Sequence, residues 1–229
     1  MKRGKKYKKA IEGLDRTKVY TIEEAIQEAK KRSYSSFVGS LELHFDIVIP
    51  KEKDPKSIKG ALSLPHSIDT KDTTIVVFTT PDKEKEAKDA GADYVGLDDL
   101  IKSVQKGDIS FDIAIASPSV MSKIAILGKE LGPKGLMPNP KNDTVTDDVA
   151  SAVKEFKKGK QAFACDSSGV IHVKAGKLDM EDEKLIENVH VAVSAVEEVV
   201  GKQYSQSVKR MHIAPTMGPS FKVDYMKPE

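Results

Sequence analysis

Tryptophan is absent from this 229-residue sequence, and cysteine occurs once, at Cys165. A lone cysteine excludes an internal disulfide framework and suits a reducing compartment. With no second cysteine, and with five histidines scattered at 44, 66, 172, 190 and 212, the sequence offers no metal-ligand spacing. Long apolar runs are missing too. None approaches the roughly 20 residues that span a bilayer, and "MKRGKKYKKA" leads into no signal-peptide apolar core. Membrane and secreted classes are set aside, and a cytoplasmic protein is expected.

Catalytic signatures are equally scarce. After the first central strand, "TTPDKEKEAKDAG" puts charge where a dinucleotide-binding turn needs glycines. "GKELGPKG" resembles a phosphate loop in composition, but five residues after Gly128 stands Pro133 instead of the required glycine. "SPSVMS" lacks the glycines that flank a nucleophile elbow. Carboxylates mostly alternate with lysines on helix faces, the ordinary pattern of a solvated surface. No catalytic residue, metal site or cofactor is assigned, and the chain reads as a non-enzyme. The competing reading is a small-ligand or nucleotide enzyme built on the central segment.

What is present is charge, unevenly divided. The net charge is +2, yet residues 67–159 hold 13 lysines against 16 acidic residues. The two flanks together hold 24 basic against 19 acidic residues. "KRGKKYKK" (2–9) has six basic residues in eight, which reads as a solvated tail or as an arm that neutralises phosphates.

Periodicity divides the chain in the same way. In the middle, "TTIVVFTT" is a continuous apolar run suited to a strand buried on both faces. It is followed by the helix "PDKEKEAKDAG", the strand "ADYVG", the helix "LDDLIKSVQKG" and the strand "FDIAIAS". Helices over "PSVMSKIAILGKEL" and "TDDVASAVKEFKKG" complete a small, mainly parallel α/β layer structure. The flanks differ. "TIEEAIQEAKKRS" is an amphipathic helix with a capping box at Thr21 and Glu24. "SLELHFDIVI" alternates as a half-buried strand and "GALSLP" is a shorter one. "QAFACDSSGVIHVKAG" predicts a hairpin around Asp166–Gly169, followed by a helix over about 181–200 and the strands "SVKRMHIA" and "SFKVD". Neither flank supplies enough strands for a good sheet. The expected fold is therefore two domains, one α+β and one α/β. Residues 1–66 and 160–229 form a discontinuous antiparallel α+β domain, and 67–159 form an inserted three-layer α/β domain.

"LGPKGLMPNPKNDTV" resembles a signature of the large-subunit ribosomal protein L-one family, usually written LGP[KR]GLMPNPK-x-G-T-V. "VYTIEEA", "LSLPH", "GADYVG" and the terminal "TMGP" also match that family in order, so the resemblance, to the bacterial type, covers essentially the whole chain. It implies a discontinuous RNA-binding domain with a Rossmann-like insertion. It further implies placement in the large ribosomal subunit of the cytoplasm, on a mobile stalk beside the tRNA exit site, where the protein assists release of deacylated tRNA. Large-subunit rRNA, exit-site tRNA and, through repression of its own operon, an mRNA are the implied partners, with the protein monomeric off the ribosome.

Carried over by the resemblance, the RNA-binding residues are Phe37, Ser40 (usually Thr), Glu42, Asp166, His172, Lys209 (usually Arg), Thr216, Met217 and Gly218. Such a set suits structured RNA, which is read by shape, 2′-hydroxyl contacts and stacking. Read alone, Phe37 could equally be a core aromatic, and Gly218 a turn residue. The sequence departs from the family at Ala164 and Ser167, where the hairpin usually carries cations. "KEKDPKSIKG" replaces an Arg- and Gln-rich segment, and Ser36 stands where some members have Lys. Fewer phosphate contacts mean weaker and less salt-dependent binding.

Overall fold

A computed structural model describes residues 4–15, 17–49, 54–66, 73–106, 109–203 and 208–224. The first half of the chain forms α1 (Lys5–Ala10), β1 (Val19–Tyr20), α2 (Ile22–Arg32), β2 (Ser40–Ile47), β3 (Lys59–Ser63), β4 (Ile75–Phe78), α3 (Glu84–Asp89), β5 (Tyr94–Gly96) and α4 (Asp98–Lys106). The second half forms β6 (Ile113–Ala116), α5 (Met121–Ile124), α6 (Gly128–Lys134), α7 (Val149–Lys157), β7 (Lys160–Ala164), β8 (Val170–Lys177), α8 (Asp182–Gln203), β9 (Val208–Pro215) and β10 (Phe221–Val223). Contacts divide the chain into two compact units, one of Met1–Ile68 with Phe163–Glu229 and one of Asp69–Ala162.

In the unit built from both flanks, a five-stranded sheet runs β1-β10-β9-β2-β8, antiparallel except where β1 lies parallel to β10. The alternation of β2 decides its two faces. Leu41, Leu43, Phe45 and Ile47 are buried, while Ser40, Glu42, His44 and Asp46 point to the other side. The buried face packs on Ala25, Ile26 and Ala29 of α2 and on Leu185, Val189, Ala192 and Val196 of α8. Helix α2 starts where Thr21 Oγ1 accepts the Glu24 amide at 3.2 Å, while the Glu24 carboxylate lies 3.4 Å from Lys18 Nζ. Asn188 of α8 is fully buried and fully used. Its Oδ1 accepts the His66 amide, and its Nδ2 donates to the carbonyls of His66 and Ala175. This clamp fixes the end of "LSLPH".

The central unit is built on the parallel sheet β5-β4-β6, and β4 is buried along its whole length. Ile75 and Val77 face α3 and α7 through Ala87, Val149, Val153 and Phe156. Val76 and Phe78 face the opposite layer of Leu100, Ile101, Val104, Ile124, Leu127 and Leu131. The result is three layers, as expected of a continuous apolar strand.

Three expectations need correction. The single helix over "PSVMSKIAILGKEL" is broken into 3-10 turns at Pro118–Val120 and Ala125–Leu127, with short α5 and α6 between and after them. Tightening at Ala125–Leu127 keeps Ile124, Leu127 and Leu131 in the core and leaves Ile126 outward. The hairpin around Asp166–Gly169 forms its turn but not its ladder. Beyond one bridge, Cys165 to Ile171, β8 pairs with β2 whereas β7 pairs with β3 in a separate two-stranded sheet. Finally, Lys5–Ala10 is a helix and not a loose arm; Lys2 and Arg3 lie outside the described residues. Arg32 Nη1 donates to the carbonyls of Ala10 and Glu12, and the Tyr7 ring meets Tyr34 edge-on at 6.5 Å.

Candidate nucleic-acid interface

The terminal turn is welded to the start of β2. The Thr216 amide donates to the Ser40 carbonyl at 3.0 Å. The Ser40 amide donates to Thr216 Oγ1 at 2.9 Å, and that hydroxyl has two acceptors at 3.2 Å, the Ser40 carbonyl and Glu42 Oε1. One hydroxyl proton serves only one acceptor at a time. Residues 176 positions apart thus form one polar cluster.

Around this cluster the loops are apolar and outward. Phe37 is 59% exposed, Val38 55% and Met217 39%. The core-aromatic reading of Phe37 is therefore excluded. The loop is shaped by Ser35 Oγ donating to the Phe37 carbonyl at 2.6 Å and by the Tyr34 amide donating to the Met217 carbonyl at 3.1 Å. Gly218 has an internal reason. A Cβ there would stand 2.5 Å from Pro215 Cγ, a separation no side chain tolerates without the turn shifting. Tyr34 also receives α1, so the exposed lysines 5, 6, 8 and 9 sit on an element anchored beside this loop.

Farther along the open face lies a second group. Asp166 Oδ1 accepts the amides of Ser168 and Val170, both at 2.8 Å, and its Oδ2 is 3.6 Å from His172 Nε2. The Val170 amide most of all, with the Ser168 amide and His172, holds this carboxyl below the ordinary aspartate range against the opposing effect of burial. Gly169 closes the turn at φ 85°. His172 Nδ1 is 2.8 Å from His44 Nδ1. Strand register sets His172 opposite His44, His44 opposite His212, and His212 opposite Lys222. Burial, and then the neighbouring His172, push His44 below the ordinary histidine range. Burial with Arg210 and Lys222 does the same to His212.

The nine residues singled out from the sequence are thus not one knot. Ser40, Glu42 and Thr216 touch, and Phe37, Met217 and Gly218 belong to the loops at that end. Asp166 lies toward the far end of β2, where the Ile47 amide meets the Gly169 carbonyl. Lys209 is the extra residue of a bulge there, since Asp46 pairs with Arg210 and Ile47 with Val208. The seven steps from Ser40 to Ile47 span about 23 Å. His44, Arg210, His212 and Lys222 share the open face and were not singled out. Only the period-2 pattern could have found them, because "SLELHFDI" places His44 on the side of Ser40 and Glu42.

Cys165 is buried, and burial first, then Asp166, pushes its thiol up to about 11. Among the described residues no group of three His, Cys, Asp or Glu could hold a metal ion. No helix among them is long and apolar enough to cross a membrane.

The sheet thus has one open polar face with exposed aromatic and thioether groups at its rim. Residues 25–219 match the ribosomal protein L1p/L10e family. "Large ribosomal subunit protein uL1" of Kosmotoga olearia is 44% identical over 230 residues, covering 99% of this chain and 98% of that protein. The proteins of the same name from Thermosipho melanesiensis and Thermosipho africanus are each 43% identical, covering 97% of both chains. The chain belongs to the ribosomal protein L1p/L10e family, whose members are ribosomal proteins and not enzymes. The small-ligand enzyme reading is thereby set aside.

Proposed function

We propose that the chain is a constituent of the large ribosomal subunit in the cytoplasm and binds large-subunit rRNA through the open face of the five-stranded sheet and its rim loops. The observation that carries this reading is the Ser40–Glu42–Thr216 cluster, flanked by exposed Phe37 and Met217. Glu42 and the Thr216 hydroxyl can address 2′-hydroxyls, while Phe37 and Met217 offer surfaces for unstacked bases or sugars. The lysines of α1, and Arg210 and Lys222, supply charge for phosphates.

The resemblance extends the reading to a stalk beside the exit-site tRNA, with assistance to release of deacylated tRNA. It also extends to an operon mRNA that competes for the same face. Exposed Ala164 and Ser167 in place of cations favour rRNA over the mRNA. The flanks are further proposed to fold as one RNA-binding domain without residues 67–159, and the free protein to be monomeric. Footprinting of large-subunit rRNA from Kosmotoga olearia with the pure protein tests the central point. A discrete protected region supports it; uniform, salt-labile protection along the RNA would overturn it.

A further inference from the structure

A row of imidazoles crosses the open face, and it is not used by the polar cluster at the terminal turn. His172, His44, His212 and Lys222 stand side by side on β8, β2, β9 and β10. His44 and His172 approach through the same ring atom, Nδ1 to Nδ1 at 2.8 Å, with their rings edge-on at 5.0 Å. Two protonated Nδ1 atoms cannot face each other at that distance, so one ring must donate and the other accept.

The Asp166 carboxylate, 3.6 Å from His172 Nε2, favours a proton on that nitrogen and so one direction of the contact. With His172 Nε2–H turned to Asp166 Oδ2, His172 Nδ1 is left as the acceptor and His44 Nδ1–H as the donor. His44 Nε2 is then the position where a proton can be added without breaking the contact. The charged groups around the pair come from every strand that packs against it. They are Glu42 and Asp46 on β2, Asp166 and Lys174 with β8, Arg210 and His212 on β9, and Lys222 on β10. Partial burial of His44 opposes the added proton most, then His172, and more weakly His212, while Glu42 favours it.

We propose that the His44–His172 pair is a proton-linked RNA contact, which takes up one proton at His44 Nε2 when an RNA phosphate lies across the row. The idea rests on the rRNA-binding reading above. A phosphate over the face adds negative charge beside His44 to that of Glu42, so the protonated form is favoured in the complex. The contact allows one proton per pair and not two. Affinity must therefore rise as pH falls, by no more than about tenfold per pH unit, the limit for uptake of one proton.

The test is calorimetric binding of Kosmotoga olearia large-subunit rRNA at pH 6, 7 and 8 in buffers of different ionisation heat, which counts the protons taken up. Wild-type protein should bind roughly three- to tenfold more tightly at pH 6 than at pH 8 and take up a fraction of a proton. His44→Asn keeps a hydrogen-bonding group toward His172 but cannot titrate. Whatever its affinity at pH 8, it should lose most of the pH dependence and of the proton uptake. His212→Asn, which leaves the pair intact, should keep it and so controls for a general effect on the sheet. Titrating bases of the RNA contribute equally to all three proteins. Equal proton uptake by wild type and His44→Asn, or pH-independent binding by both, would overturn the proposal while leaving the rRNA reading in place. Failure of the wild type to bind at any pH would overturn both.

Discussion

The two units solve the same problem, where to put a sheet's second face, in opposite ways. The central unit covers both faces of β5-β4-β6 with helices, and the apolar run of β4 is buried throughout. The flank unit covers one face of its five strands and leaves the other polar and open. A parallel sheet joined by crossover helices closes itself; an antiparallel sheet with helices on one side does not. The open face is therefore where a large polymer can lie, and the closed sheet offers it only a helical exterior. The charge division follows the same line, since the acidic excess falls in the closed unit and the basic excess in the flanks.

The largest effect expected from this difference is a separation of binding from the central unit. A chain joining residues 1–66 to 160–229 through a short Gly/Ser linker should stay soluble and keep most rRNA affinity. Isolated 67–159 should bind roughly a hundredfold more weakly or worse, because it lacks both the open sheet and the basic excess. An unfolded linked chain, or equal binding by the two pieces, breaks the comparison.

Next is the contrast between two exposed sites. Phe37→Ala with Met217→Ala removes both apolar surfaces beside the polar cluster, at roughly 1–3 kcal/mol per lost stacking contact. Lys85→Glu, on the exterior of α3, should change affinity less than about twofold, since a surface charge remote from the RNA acts only through a screened field. Equal losses in filter binding would indicate unspecific attraction. Both variants should keep wild-type circular dichroism, because Phe37 and Met217 lie outside the core.

Acid sensitivity should also divide the units. His44 and His212 sit below the ordinary histidine range in the folded protein. Between their folded values and about 6.5 the unfolded chain binds more protons, so stability is complete above that window and is lost as pH falls through it. The slope is at most about 1.4 kcal/mol per pH unit for each proton. Residues 67–159 contain no histidine, so the melting temperature of that piece should stay flat from pH 7 to 5. Asp166 has the same sign in a more acid window; its lowered carboxyl contributes above about 3.9 and is lost only as pH falls below that.

The smallest effect concerns the missing cations. Ala164→Arg with Ser167→Lys adds two charges at exposed positions beside Asp166. If that turn meets phosphates, the log-affinity against log-salt slope should steepen by up to about 0.9 per contact. An unchanged slope, together with a shallower one on deleting residues 2–9, would assign those phosphates to the α1 side instead.

Much of this was legible in the sequence because it depends on local pattern. The period of β2, the Thr21 cap and the apolar run of β4 each report their own environment directly. What the sequence left open is pairing. The stretch "ACDSSGVI" specifies a turn through the Asp166 side chain, but nothing in it tells β7 to leave for β3 while β8 joins β2. The Thr216–Ser40–Glu42 cluster and the histidine row are likewise products of register between distant strands. The resemblance points to Thr216, Glu42 and His172 singly, whereas strand pairing gives the hydroxyl its acceptors and His44 its partner. The resemblance makes Gly218 an RNA-binding residue, whereas the nearest neighbour a Cβ there would meet is Pro215.

The open face as the RNA surface can be tested most directly by hydroxyl-radical oxidation of the protein, alone and bound to large-subunit rRNA. Phe37 and Met217 on the flank unit and Tyr94 and Ile126 on the central unit are all exposed, from 39% to 67%, so each is oxidised in the free protein. RNA should protect Phe37 and Met217 strongly and leave Tyr94 and Ile126 as reactive as before. Protection of Tyr94 and Ile126 with Met217 still open to oxidation would contradict the account.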